Sequence, residues 1–403
     1  MPKKGGKKGK GGKKKKAKTV AGADLIIQKL IKTYDRNCAL TESLACPGIR
    51  NALKACLEDG KILNKFILEA AQVEKPDDMA ILLEPLLATI RQERYIHIND
   101  LHVWKYPMSY ENAATLALLL EKGCYPLRYL ELLDCIIDGY SVGRLSRSFR
   151  MCETLTHVIL DYNEFGDEGC KYLCKGLEYN STLIHLSMCY CDLGIDSGKN
   201  LGAAIASTAV REIFLDGNNL ECEGAMELIK LCAEQAEYEA FQRAEAAKRK
   251  AEEEALKAEK GNGNICYYLS NRVVFYTNIN HLIFLEKEGK LRTGSARLSG
   301  NETDQESKSD SGKKKKKKGK KKKKKEEGPP PVGPWVFKLH LADNGIDNLA
   351  YGQKFAPIIF TRILRKLIMH SEFFEELDLD DNLIGDLAAR EIIEALEFRK
   401  EGK

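Results

Sequence analysis

One residue pattern recurs along this chain and fixes what it can fold into. Leu127-x-x-Leu130-x-Leu132-x-x-Cys135-x-Ile137 returns as Leu155-x-x-Val158-x-Leu160-x-x-Asn163-x-Phe165. It returns again as Leu183-x-x-Leu186-x-Met188-x-x-Cys191-x-Leu193 and as Val210-x-x-Ile213-x-Leu215-x-x-Asn218-x-Leu220. The starts step by 28, 28 and 27 residues. A fixed period of this length means stacked units whose core is shared between neighbours, a solenoid rather than one globular core. Such stacks present extended surfaces, so the pattern points to binding before it points to catalysis.

The pattern has a mechanical basis. The alternating apolar pair in each unit places one face of a short strand inward. The Asn or Cys three residues later sits where the chain turns out of the strand. There an Asn side chain can satisfy backbone groups that the turn leaves unpaired, and a thiol can do so weakly. The second half of each unit reads as helix: Cys170, Leu173, Cys174 and Leu177 fall at i, i+3, i+4 and i+7. A weaker copy starts at Ile98, and clear copies start at Val336 and Phe374, giving seven repeats. The alternation Cys135, Asn163, Cys191, Asn218 resembles the ribonuclease-inhibitor class of leucine-rich repeats. That resemblance implies an α/β horseshoe with parallel strands on the concave side and helices on the convex side.

The remaining segments define the expected organisation. Residues 1–18 form a basic tail, expected to be disordered and without the apolar stretch of a signal peptide. Residues 19–95 read as helical, with Leu25, Leu30, Ile31, Leu53, Leu57, Ile62, Leu63, Phe66 and Ile67 on apolar faces, and serve as an N-terminal cap. Repeats fill 96–232 and 335–403. Between the Val210 and Val336 copies lie 126 residues where one period would do. Within them, 233–260 has no Gly or Pro, and Glu239 with Arg243, Glu245 with Arg249 and Glu253 with Lys257 are i,i+4 pairs. This predicts a charged helix on the order of 40 Å long leaving the solenoid, a disordered charged linker being the alternative. Residues 261–291 carry clustered aromatic and β-branched side chains and read as short strands. Residues 292–334 read as a disordered Lys-rich linker.

Chemistry is harder to find. The chain has 13 Cys and no secretory signal, which suits a reducing compartment. Cys170, Cys174, Cys189 and Cys191 occupy structural positions of the repeat and lack C-x-x-C spacing, so neither a metal nor any cofactor is expected. No phosphate-binding glycine loop, H-E-x-x-H or G-x-S-x-G is present, so the chain reads as non-catalytic. No apolar run approaches the roughly 20 residues of a membrane span.

Charge gives the best pointer to partners. The formal net charge is +5, and the lysines of residues 1–18 (ten) and of 313–325 (twelve) carry +22 of it, which leaves −17 on the rest. Polybasic segments bind polyanions through screened attraction and counterion release. No aromatic residue interrupts them, so base stacking and specific nucleic-acid binding are not expected. On the acidic body, Glu131, Asp161, His185, Asp216, His340, Asp378 and Asp380 are the candidate partner-binding residues, placed on or beside the concave face, with Arg128, Arg211 and Lys338 interrupting them.

The Lys-rich N-terminus, degenerate repeats, charged helical insertion and Lys-rich linker are similar to leucine-rich-repeat proteins of the ciliary and flagellar axoneme. That resemblance implies a cytoskeletal adaptor in a large assembly, with the lysine segments on the acidic tails of tubulin. Two alternatives stand beside it: a cytosolic or nuclear binding module, and a Ran-type GTPase-activating protein using Arg91 or Arg94.

Overall fold

The computed structural model describes residues 11–70, 79–261, 332–349 and 354–401. The chain divides into two units, one of residues 1–248 with 329–403 and one of residues 249–328. The architecture below belongs to the first. The second contributes, among described residues, only the end of a long helix.

Among the described residues, eight strands form one sheet in chain order, every neighbouring pair parallel. They are β1 (Lys65–Glu69), β2 (Asp100–Trp104), β3 (Tyr129–Leu133), β4 (His157–Ile159), β5 (His185–Ser187), β6 (Glu212–Phe214), β7 (Lys338–His340) and β8 (Glu376–Asp378). Helices α1 (Gly11–Leu40) and α2 (Pro47–Asp59) precede β1. Then α3 (Glu84–Gln92), α4 (Tyr110–Leu120), α5 (Gly139–Phe149), α6 (Gly166–Leu177) and α7 (Ile195–Ser207) alternate with the strands. The last three are α8 (Glu221–Gly261), α9 (Ala356–His370) and α10 (Gly385–Glu401). This is the expected α/β solenoid of parallel strands alternating with helices.

The inward residues of successive strands stack into one core. Leu101, Leu130, Val158, Leu186, Ile213 and Leu339 are buried at one level, and Val103, Leu132, Leu160, Met188, Leu215 and Leu341 at the next. The turn residues close each unit. Asn163 Oδ1 accepts from the Cys135 and Ile137 amides at 2.9 and 3.2 Å, and its Nδ2 donates to the Leu132 and Leu160 carbonyls at 2.8 and 2.7 Å. Asn218 repeats the arrangement on Cys191, Leu193, Met188 and Leu215. At the alternate position a thiol donates to a neighbouring strand: Cys135 Sγ to Val103 O at 3.3 Å and Cys191 Sγ to Leu160 O at 3.2 Å. The residue just before each of these positions takes a positive φ, at Asp134, Tyr162, Tyr190, Gly217, Asp343 and Asp381.

The sequence reading needs correcting in three places. The segment read as wholly helical over 19–95 also supplies β1, whose Phe66 and Leu68 are buried while Lys65 and Glu69 are exposed. That is a period of two, not of 3.6. Residues 11–18 belong to α1 instead of a disordered tail; Lys and Ala are good helix formers. The long charged helix starts at Glu221, because its first turns are the helix of the β6 unit: Cys222, Ala225, Leu228, Ile229, Cys232 and Ala236 are buried. Arg243 still touches the solenoid, donating to His370 O at 2.6 Å and pairing with Glu372 at 3.1 Å. The expected pairs Glu239–Arg243 and Glu253–Lys257 are present at 3.9 and 3.6 Å. Residues 1–10, nearly all of the expected strand-like segment at 261–291 and most of the linker at 292–334 lie outside the described residues.

β6 and β7 pair directly, Glu212 with Lys338 and Phe214 with His340, so the sheet continues across the insertion.

Candidate partner-binding face

On each strand the residues that flank the two inward side chains point away from the core. Because the strands are parallel and in register, these residues line up in columns across the sheet. One column runs Asp100, Tyr129, His157, His185, Glu212, Lys338, Glu376. The next runs His102, Glu131, Ile159, Ser187, Phe214, His340, Asp378.

Rings dominate the middle of this face. His102 lies 4.9 Å from Tyr129, Tyr129 5.7 Å from His157, and His157 5.3 Å from His185. The line continues from His185 to Phe214 at 4.7 Å and from Phe214 to His340 at 4.3 Å. Trp104 stands edge-on to His102 at 6.0 Å. Four of the chain's seven His residues are in this ladder, which separates it from a random surface.

Carboxylates hold the rings. Glu131 accepts from Trp104 Nε1 at 2.6 Å and Tyr129 Oη at 3.0 Å, and lies 3.1 Å from His102 Nδ1. The His102 contact is the largest cause holding Glu131 below the usual carboxylate range; burial opposes it, and Trp104 and Tyr129 reinforce it. Glu212 lies 3.0 Å from His185 Nδ1 and 3.5 Å from Lys338 Nζ. Burial raises the Glu212 carboxyl, but His185 and Lys338 outweigh it and the net shift is downward. His340 lies 3.2 Å from Glu376 and 3.7 and 3.9 Å from Asp378 and Asp216.

Asp161 and Asp216 have a more structural part. Asp161 accepts from Ser187 Oγ at 2.6 Å and the Cys189 amide at 2.9 Å, and Asp216 from the Ala342 amide at 2.9 Å. Burial pushes both carboxyls up, and these hydrogen bonds pull them back. Burial, with His185 close by, lowers His157.

The seven residues singled out from sequence therefore have two placements. Glu131, His185, His340 and Asp378 lie within the two columns, while Asp161, Asp216 and Asp380 follow the ends of their strands. Asp380 is exposed, and its amide donates to Asp378 Oδ1 at 2.9 Å. Sequence reading missed His102, Trp104, Tyr129, His157, Glu212, Phe214 and Glu376. The signal was available at the position just before the first inward residue of each strand, where Tyr129, His157, His185 and Glu212 recur at the repeat period. Of the interrupting cations, Lys338 bridges Glu212 and Glu376 at 3.5 and 3.7 Å, and Arg211 lies over the Phe337 ring at 5.2 Å. Arg91 and Arg94 are elsewhere. With Lys122, Cys124 and Tyr125 they line a cleft of about 650 Å³ that includes no strand residue.

No described helix is long and apolar enough to cross a membrane. A family model described as "Leucine Rich repeat" matches residues 152–174, which hold β4, the Asn163 turn and most of α6. The chain is 26% identical over 154 residues to "NACHT, LRR and PYD domains-containing protein 4E" of Mus musculus, which covers 37% of this chain and 15% of that protein. It is 33% identical over 105 residues to "NACHT, LRR and PYD domains-containing protein 14" of Mus musculus, covering 26% of this chain and 10% of that protein. The matches thus span a small part of these relatives' own length. With the eight-stranded parallel stack, they make this chain a leucine-rich-repeat protein, distantly homologous to the repeat regions of those relatives.

Proposed function

We propose that this chain is a non-catalytic protein-binding adaptor that grips its partner with the concave face. The observation that carries this reading is the ladder of rings from His102 to His340 bordered by Glu131, Glu212, Glu376 and Asp378. Aromatic surface set among carboxylates suits a segment that presents Lys or Arg beside apolar side chains, since ring faces and carboxylates both attract cations. The test is affinity capture with Asp380→Lys, an exposed position at the accessible end of the face. Substitutions at such positions change stability by about 0.5 kcal/mol or less. We expect the melting temperature to hold and a specific set of bound proteins to be lost. Capture identical to that of the unaltered chain overturns the reading.

The finer proposal is a place in the ciliary or flagellar axoneme, with the two lysine segments on the acidic tails of tubulin. It is supported by the division of charge and by the sequence resemblance; the similar proteins named above do not bear on it. The same division supports a microtubule adaptor over a Ran-type activator, for which Arg91 and Arg94 are the residues that would have to serve.

A further inference from the structure

Three donors on the outward face of the sheet converge. His157, His185 and Glu212 occupy one register position on three consecutive strands. One donor atom from each lies within 4.8 Å of the other two, and all three side chains are half-buried. Among the described residues they are the one group of three His, Cys, Asp or Glu this close.

The surroundings suit a ligand set. His157 Nδ1 is 2.8 Å from Thr156 Oγ1, which fixes the ring and leaves its other nitrogen for a ligand. His185 is oriented by Glu212 on one side and stacked between His157 and Phe214. The donor atoms lie within 4.8 Å of one another and must draw closer for an ion that holds its ligands at about 2.0–2.2 Å, and the stacked His157 and His185 rings must turn so that a nitrogen of each faces it. Two imidazoles and one carboxylate are the donor set of open zinc sites, in which a fourth position stays free. The cation that faces the site is Lys338, 3.5 Å from Glu212; it is also 3.7 Å from Glu376, which would keep it paired if Glu212 turned to a metal.

We propose that His157, His185 and Glu212 bind one divalent transition-metal ion of the zinc class, with the open position facing the concave side. Binding replaces the His185–Glu212 hydrogen bond with two bonds to the ion. The proposal stands whether or not the concave face binds a protein.

The experiment uses the purified full chain, freed of metal with a chelator. Zn²⁺ is titrated against a chromophoric chelator, and Co²⁺ is then used to report the ligand atoms by absorption, because the chain also has 13 Cys. We expect one tight equivalent and a Co²⁺ spectrum of nitrogen and oxygen ligation. His157→Gln and His185→Gln should each weaken binding by at least about tenfold, the least that disturbing even the outer partners of a metal site brings. His97→Gln, at an exposed position outside the strands, should leave binding unchanged. Melting of the metal-free variants checks that they fold, and Glu212→Gln replaces either one that does not. No tight equivalent, a thiolate Co²⁺ spectrum, or binding that survives the cluster substitutions overturns the proposal.

Discussion

The carboxamide of Asn163 makes five hydrogen bonds, two accepted and three donated, all to backbone of its own and the preceding unit. Its removal leaves the amides of Cys135 and Ile137 buried with no partner, at about 1–3 kcal/mol for each. We therefore expect Asn163→Ala to lower unfolding free energy by roughly 3 kcal/mol or more in denaturant titration. Asn163→Cys should do less harm, because Cys135 and Cys191 already show a thiol at this turn donating to the neighbouring strand. Equal losses for Ala and Cys would mean that the hydrogen bonds do not set the residue choice. This also explains what was legible. A turn with a fixed set of backbone groups to satisfy imposes one or two residue types, so Asn and Cys recur. Nothing in the fold imposes Tyr129, His157 or Phe214 on the outward columns. Their identities answer to what the face does, and so they were passed over until the register lined them up.

At the scale of elements, the helices stand as close as their smallest residues allow. A Cβ at Gly198 on α7 would lie 2.1 Å from the Gly224 carbonyl oxygen on α8, and one at Gly202 would lie 2.4 Å from Glu227 O. The obstacle in both cases is backbone, which a side-chain rotation cannot clear. Overpacking of this kind costs about 1–3 kcal/mol, so Gly198→Ala should destabilise although Ala is the better helix former. Gly22→Ala on α1, where nothing lies within 4 Å, is the control and should be neutral or stabilising. A Gly198→Ala chain that melts with the unaltered one would show that α7 and α8 are free to slide apart. Element recognition from sequence failed where the pattern was diluted. Leu63-x-x-Phe66-x-Leu68 is a strand unit, and all three residues are buried, but Ile62 and Ile67 hide the alternation and Ile98 follows 35 residues later, off the period. The helix of the β6 unit was divided at 233 for a related reason: its buried stripe of Leu228, Ile229 and Cys232 passes without a break into the charged sequence beyond Phe241.

The whole molecule divides its charge, with +22 on two lysine segments and −17 on all its other residues together. The strand ladder is continuous without either segment: β6 pairs with β7 directly. Binding and folding should then separate cleanly. If the lysines hold the chain to acidic tubulin tails, cosedimentation with microtubules should be strong at low salt. It should fall steeply as salt rises, because the screening length shrinks from about 10 Å at 0.1 M to about 3 Å at 1 M. Replacing the lysines of both segments by Gln should abolish most of the binding. Gln is the substitution to use because residues 13–18 lie in α1, and it nearly matches Lys in helix propensity where Gly or Ser would break the helix start. The melting transition should not move. Microtubules whose acidic tails have been cleaved should bind poorly even to the unaltered chain. Binding that persists through both Lys→Gln replacement and tail cleavage would instead assign the contact to the concave face or to the exposed part of α8, and absence of binding at low salt would remove tubulin from the list of partners altogether.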